Sequence, residues 1–505
     1  MTALQELRDY LQQTRLLGSI SSTLYFDQNT VMPPAAAPWR GEQLALLACQ
    51  LHERQTSAHY GQLLEAAEAE LPAEATAESQ RNLQLLRLEL ERSRCLDPAL
   101  VKALTRAQSH GNAVWQEARR SNDFASFAPA LQQLINLRQE QAAQLRSAEP
   151  AGRSPWEILA QPFEPEVSKQ RLDQLFTPLK AQLPPLLERV MRQPPSAAAA
   201  PELSAAQQDQ LCAELLRSWG YDPQRCHASR SAHPFSSTLG PNDFRITTRV
   251  VEGQPFSCFL AAAHEWGHSL YEQGLPRDQP QCFPWPLGDA TSMGVHESQS
   301  LFWECRVTRS QAFASRWHQR FVQALGVDCW GHADGFWRAL NPMRPGFIRV
   351  EADELGYCLH IVLRYELELA LLEGGLPVEE LPEQWNQRFE QLFGQRPPSD
   401  REGCLQDIHW AEGMFGYFPS YALGHLISAQ LSEAMAADLG PLPALIAAGE
   451  EQLLRQWLAQ RVWPLGRSVN AEQLVQQVSG RPLSAEPFLT YLHDKLDRLL
   501  VPTAV

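Results

Sequence analysis

The sequence predicts a predominantly all-α protein, a large helical body with one small β-hairpin. Three observations carry that expectation. Apolar residues recur at helical spacing along most of the chain. Breaks rich in proline and glycine separate these stretches. Only the segment 229–250 alternates in the manner of strands.

The first 150 residues read as helical hairpins packed antiparallel. Apolar residues repeat at helical spacing from Leu4 to Leu11, and 40–69 is rich in Leu, Ala, Glu and Gln. Segments 78–95, 98–120 and 124–146 repeat the pattern. Met32-Pro33-Pro34, Leu71-Pro72 and Asp97-Pro98 punctuate it. Residues 149–156 interrupt it again, and 193–201, rich in Pro, Ser and Ala, read as a surface loop. Within 229–250, β-branched residues flank the turn Gly240-Pro241-Asn242, hence the hairpin. Helical patterning returns at 256–274, 289–325, 354–373, 380–393, 421–437, 448–460 and 486–500. No fixed-period repeat is visible. The expected organisation is one catalytic unit over 1–505, with helical hairpins in 1–150 and the metal- and substrate-binding part in 151–505.

Of the 505 residues, 44% are hydrophobic and 20% charged, which suits a packed core and excludes a disordered chain. A formal net charge of −15 repels phosphate backbones, so nucleic acid is not an expected partner. The N-terminus has no basic stretch leading into an apolar core, and no apolar run reaches membrane-spanning length. A cytoplasmic protein with no membrane partner is the expectation. The ten cysteines are scattered from Cys49 to Cys404 without a C-x-x-C pair, so they read as reduced thiols and poor metal ligands.

The chemistry concentrates in His264-Glu265-Trp266-Gly267-His268, an H-E-x-x-H motif inside a helical stretch. Residues four apart share a helix face, so both imidazoles can reach one zinc ion at about 2.0–2.1 Å. Glu265 is placed to serve a metal-activated water as general base. A catalytic zinc needs a third protein ligand and an open position. His296-Glu297-Ser298-Gln299 lies downstream, and spacing alone leaves His296 and Glu297 equal candidates.

Six elements in order now resemble the carboxypeptidase Taq family of zinc metallocarboxypeptidases. They are His233-Pro234-Phe235, Asp243-Phe244-Arg245-Ile246-Thr247, the H-E-x-x-H motif, His296-Glu297-Ser298-Gln299, Ile348-Arg349 with Asp353, and Gly403 with Gln406-Asp407-Ile408-His409-Trp410. The run Phe415–Gly424 is also similar. Two departures stand out: Tyr25-Phe26-Asp27 replaces a Trp-Asp pair, and the loop through Gln279-Pro280-Gln281-Cys282 is longer. The resemblance implies that Glu297 is the third ligand. It implies removal of single residues from peptide C-termini, a homodimer, and a helical fold with a deep groove walled on one side by the N-terminal hairpins.

On this reading one Zn2+ per chain, or Co2+ as a substitute, acts as Lewis acid and Glu265 as base. Tyr417 or Tyr421, set in a loop by Gly416 and Pro419, would donate to the developing oxyanion. Arg349 is the favoured receptor for the substrate's free carboxylate, because a guanidinium pairs bidentately with one. His409 and Arg245 are second choices. His233, in the hairpin, could meet an extended peptide or sit in the core. Asp353, Asp407 and Glu304 are candidates to orient the metal-bound imidazoles. A zinc endopeptidase would share the ligands without a carboxylate pocket, and a helical scaffold with a vestigial site is the non-enzymatic alternative.

Overall fold

The computed structural model describes residues 2–72, 75–195, 201–277 and 282–501. Six helices open the chain: α1 (Ala3–Thr30), α2 (Ala37–Thr56), α3 (Ala58–Glu70), α4 (Ala77–Arg94), α5 (Pro98–Ser121) and α6 (Phe124–Leu145). The stretch expected as one helix over 40–69 is two. Ser57 leaves helical geometry, and its hydroxyl accepts from the Tyr60 N–H to start α3. Next come α7 (Pro155–Ala160), α8 (Lys169–Arg192) and α9 (Ala205–Ser218). Neither α8 nor α9 was expected. α8 carries Pro178, Pro184 and Pro185 internally, yet it buries Leu172, Leu175, Leu179, Leu183, Leu186, Leu187 and Val190 along one stripe. That burial outweighs the prolines' cost to the helix. Of the loop expected at 193–201, residues 196–200 lie outside the described residues.

The expected hairpin is part of a three-stranded sheet: β1 (Cys226–Arg230), β2 (Ser236–Gly240) and β3 (Asp243–Thr248), in the order β1-β3-β2. β2 and β3 pair antiparallel across the Gly-Pro-Asn turn, whereas β1 pairs parallel to β3, Cys226 opposite Phe244. Tyr25 and Phe26 of α1 pack edge-on against Phe235 beside this sheet, so the Tyr-Phe departure is a packing contact.

The remaining helices are α10 (Ser257–Gly274), α11 (Met293–Leu301), α12 (Gln311–Leu325), α13 (Ala333–Leu340), α14 (Glu354–Leu372), α15 (Leu381–Phe393), α16 (Pro419–Leu439), α17 (Leu442–Ala448), α18 (Glu451–Arg461), α19 (Ala471–Ser479) and α20 (Glu486–Leu500). The single helix expected over 289–325 is α11, a π-helical turn over Phe302–Thr308, and α12. Residues 278–281 of the longer loop lie outside the described residues. Among those described, no helix is long and apolar enough to cross a membrane.

Two apolar cores result. A small one joins Leu7 and Leu11 of α1, Tyr60 and Leu64 of α3, and Leu83, Leu86 and Leu90 of α4. The large one runs from Trp115 to Leu500 and encloses α10, whose Phe259, Ala262, Ala263, Trp266 and Leu270 are fully buried. The H-E-x-x-H helix is therefore held rigidly from behind.

Candidate metal centre

Two glycines bring three helices into contact here. A Cβ on Gly267, inside H-E-x-x-H, would lie 2.7 Å from the Ser300 Cα and 2.8 Å from the Gln299 carbonyl oxygen. One on Gly424 would lie 2.6 Å from the Glu297 Cγ. Without side chains at both positions, α10 and α16 close onto α11. α11 starts where the Ser292 hydroxyl accepts the Val295 N–H, and that places Glu297 one turn into the helix.

His264, His268 and Glu297 converge, with their ligand atoms all within 4.8 Å of one another. Glu297 Oε2 stands 3.4 Å from His268 Nε2 and 3.8 Å from His264 Nε2. Two donors at about 2.1 Å from a tetrahedral ion would stand roughly 3.4 Å apart. The choice that spacing left open falls to Glu297, because His296 turns behind His268 instead.

The surroundings leave the right nitrogens free. Glu304 Oε2 lies 3.0 Å from His264 Nδ1 and must receive its proton, so Nε2 faces the site as a lone pair. Arg309 donates to the other oxygen of Glu304 at 2.8 Å. Behind His268 runs a longer relay. Its Nδ1 lies 2.6 Å from His296 Nδ1, and His296 Nε2 lies 2.9 Å from Glu272 Oε1. Glu272 accepts from His296, which then accepts from His268, and His268 Nε2 is again left bare. Arg277 and the Thr238 hydroxyl hold the second oxygen of Glu272. Of the three carboxylates considered for orienting the imidazoles, only Glu304 does so. Asp353 caps α14 through the Leu355 and Gly356 N–H groups. Asp407 pairs with arginines.

The charge around this cluster suits a cation. Burial disfavours the charged form of His264, yet Glu297, Glu304 and Glu265 outweigh it and raise its pKa to about 10. Burial lowers His268 to about 4. The carboxylates demand positive charge at this point, and a divalent ion on Nε2 answers that demand in place of a proton. Glu265 is 7% exposed and makes no hydrogen bond or ion pair among the described residues. Burial, with Glu297 and Glu304 nearby, raises it to about 7 against the opposing pull of His264.

A second cluster adjoins the first. Tyr357, Tyr417 and Tyr421 all feel the Glu297 charge, and burial raises each hydroxyl's pKa, so all three are neutral donors. Tyr417 and Tyr421 pack edge-on at 5.2 Å, and His409 Nε2 lies 3.4 Å from the Tyr421 hydroxyl. Arg349 is buried beneath them, its guanidinium 4.9 Å from the Tyr421 ring. It donates through Nε and Nη2 to Asp407 Oδ1, at 3.1 and 2.8 Å, and through Nη1 to the Tyr357 hydroxyl at 2.8 Å. Tyr357 is a site residue that sequence reading missed. The only signal was its place four residues after Asp353 at the start of α14.

Arg245 and His233 do not join this cluster. Arg245 is bound bidentately by Asp243 at 2.8 Å and lies over the Phe26 ring. His233 is exposed at the sheet margin, which excludes the buried-core alternative.

A metallopeptidase family model, carboxypeptidase Taq (M32), matches residues 6–496. The chain belongs to this family. Thermostable carboxypeptidase 1 of Thermus thermophilus is 37% identical over 502 residues, covering 98% of each chain. Carboxypeptidase 1 of Bacillus subtilis is 33% identical with the same coverage. Among solved structures, the M32 carboxypeptidase of Deinococcus radiodurans superposes with a TM-score of 0.93 at 33% identity, covering 99% of both chains. Trypanosoma cruzi metallocarboxypeptidase 1 gives 0.92 at 32%, covering 98% of this chain and 99% of the other. The M32 chain described here is therefore a metallocarboxypeptidase, a peptide hydrolase requiring a divalent metal.

Proposed function

We propose that the enzyme removes single residues from the C-termini of peptides with broad specificity, using one zinc ion held by His264, His268 and Glu297. The observation that carries this reading is a buried Glu265, unpaired among the described residues, in the same motif as two histidines whose outer nitrogens are already committed and which converge with Glu297. A zinc ion held by His264, His268 and Glu297 would supply Lewis acidity to the scissile carbonyl and to a water molecule. Glu265, poised near neutrality, takes the water's proton and returns it to the leaving amine. Tyr417 or Tyr421 donates a hydrogen bond to the carbonyl oxygen as charge develops there.

Arg349 selects the terminus. A guanidinium has five N–H groups, and Asp407 and Tyr357 engage three of them. One N–H remains on each Nη, the pair that fits a carboxylate edge-on. Asp407 is shared with Arg364, so the trio keeps net positive charge for an anionic chain end. His409, lowered to about 4 chiefly by burial, stays neutral and can hydrogen-bond the same end. Arg245, on the central strand β3, and His233, at the sheet margin, act farther along the substrate, with α1 to α6 walling a groove. The protein acts in the cytoplasm as a homodimer. Exposed apolar side chains on α1 and α2, Leu16, Ile20 and Leu46 among them, offer a surface for that association.

Mass spectrometry of a peptide digest tests the reading. A free-acid peptide should yield a ladder shortened residue by residue from the C-terminus, and a chelator should stop it. Equal cleavage of the C-terminally amidated peptide would replace the carboxypeptidase assignment with an endopeptidase.

A further inference from the structure

The segment carrying Tyr417 is fastened at both ends by buried carboxylates that have no ion-pair partner within 4 Å among the described residues. At one end Glu368, fully buried, accepts the Gly416 N–H at 2.9 Å on Oε2. The same oxygen accepts Trp156 Nε1–H at 2.9 Å, and Oε1 accepts Trp410 Nε1–H at 3.1 Å. At the other end Glu164, 3% exposed, accepts the Ser420 hydroxyl at 2.7 Å on Oε1. That oxygen also accepts the Gly294 N–H in the first turn of α11, the helix bearing Glu297. Next to Glu164, Phe163 packs edge-on against Tyr417 at 5.0 Å. Gly416 has φ +87°, and a Cβ there would lie 2.7 Å from the Ala160 Cα, so the turn is pressed onto the 160–164 segment.

We propose that Glu368 and Glu164 are positioning residues, a two-ended clamp that fixes the Gly416–Ser420 turn and thereby aims Tyr417 at the metal centre. Glu164 does more than hold one end. By gripping Gly294 and Ser420 on one oxygen, it sets the tyrosine segment in register with the helix that supplies Glu297. A buried carboxylate with no paired cation is costly, and burial raises both carboxyl groups to about 7. Packing alone does not require such groups, since an apolar residue of the same volume would fill either place. What an apolar residue cannot do is accept three N–H groups from Trp156, Trp410 and Gly416 together. The role in aiming Tyr417 rests on the reading of that tyrosine as a hydrogen-bond donor; the clamp itself does not.

The test uses the metal-loaded enzyme with Glu368→Gln, Glu164→Gln, Tyr417→Phe and the double variant Glu368→Gln/Tyr417→Phe. A glutamine at 368 turns an NH2 toward one set of N–H donors and breaks the cradle. Amide hydrogen exchange over residues 413–421 should accelerate at least tenfold in Glu368→Gln, while α12 exchanges as before. With a free-acid peptide, kcat should fall about tenfold or more, with KM and metal content within twofold. In the Tyr417→Phe background the same change should cost less than threefold, because its target is already gone. Unchanged exchange over 413–421 overturns the clamp, whatever the tyrosine does. Faster exchange with an inactive effect on kcat, or full additivity in the double variant, overturns the aiming of Tyr417. A silent Tyr417→Phe beside faster exchange in Glu368→Gln sinks the tyrosine assignment and leaves the clamp standing. Should the carboxylate variants fail to accumulate, Ser420→Ala deletes one hydroxyl without adding volume. It should raise exchange over 413–421 severalfold, and unchanged exchange there counts against the clamp equally.

Discussion

Gly267→Ala is the substitution that most directly couples packing to chemistry. Its Cβ would meet the Ser300 Cα at 2.7 Å, the Gln299 carbonyl oxygen at 2.8 Å and Trp303 Cδ1 at 3.1 Å. The first two are backbone atoms of α11 and cannot swing aside. Restoring ordinary contact at about 3.5–4.0 Å requires α10 and α11 to part by roughly 1 Å. Glu297 rides on α11 and the histidines on α10, so the 3.4 and 3.8 Å separations widen by a similar amount. They then exceed what a tetrahedral ion bridges.

Global stability is a blunt readout of this change. Alanine gains about 0.8–1.0 kcal/mol in helix propensity over glycine, against an overpacking cost of about 1–3 kcal/mol. The net loss is about 2 kcal/mol or less. Metal affinity is sharper, because one of three ligands is pulled out of reach. Competition with a chromogenic chelator should show a dissociation constant raised about 10- to 100-fold, or about 1.4–2.7 kcal/mol. Circular dichroism should remain that of the parent. A Gly267→Ala enzyme that binds its metal as tightly as the parent would refute the account of how this site is assembled.

Glu265→Gln should keep its metal and lose about 10²–10⁴ in kcat, checked by metal analysis and steady-state rates, and near-normal turnover would remove Glu265 as base. Arg349→Ala should lower kcat/KM on free-acid peptides at least about 30-fold with metal content unchanged, since a buried charge pair to the chain end is lost. Indifference to this variant would shift the role to His409. Glu272→Gln should weaken metal binding about 10- to 100-fold through His296 and His268, read by chelator competition; equal affinity would show the relay to be idle. Burial raises the Glu354 pKa, but Lys495, Arg306 and Arg309 outweigh it and lower the value to about 2. A depressed carboxyl stabilises the fold above its unfolded pKa near 4.5 and loses that contribution as pH falls toward 2. Denaturant titrations should therefore show at most about 3 kcal/mol of acid sensitivity between pH 5 and 2 that Glu354→Gln lacks.

The parts of the site legible in the sequence are those that depend on one helix. His264, Glu265 and His268 follow from the repeat of a single turn, and α10, α14, α15 and α20 begin and end within a residue or so of their patterned stretches. What needs two elements was not legible. His296 and Glu297 are neighbours on α11 and point about 100° apart. Only the glycine-mediated approach of α10 decides which one faces the histidines. Glu304 was one of three candidates for orienting an imidazole. It meets His264 because the chain widens into a π-helical turn over Phe302–Thr308, which an apolar periodicity reads straight through. β1 was missed at its start because its exposure does not alternate, and its partner β3 lies beyond β2 in the chain. α8 was missed because three prolines argue locally against a helix that its leucine stripe then stabilises.

The balance of charge ties these pieces to the metal. Four carboxylates stand at the centre or just behind it: Glu265, Glu297, Glu304 and Glu272. Two of them are answered within the protein, Glu304 by Arg309 and Glu272 by Arg277. Glu297 and Glu265 are not. Without a metal, His264 answers one of them with a proton, since the carboxylates raise its pKa to about 10, while His268 stays neutral. A divalent ion in place of that proton complements Glu297 and, when it is ionised, Glu265. Glu265→Gln removes one of those charges without touching a ligand. The variant should still bind one metal per chain, but with a raised dissociation constant in chelator competition, even as turnover collapses. The base is thus part of the electrostatic trap that its own reaction depends on.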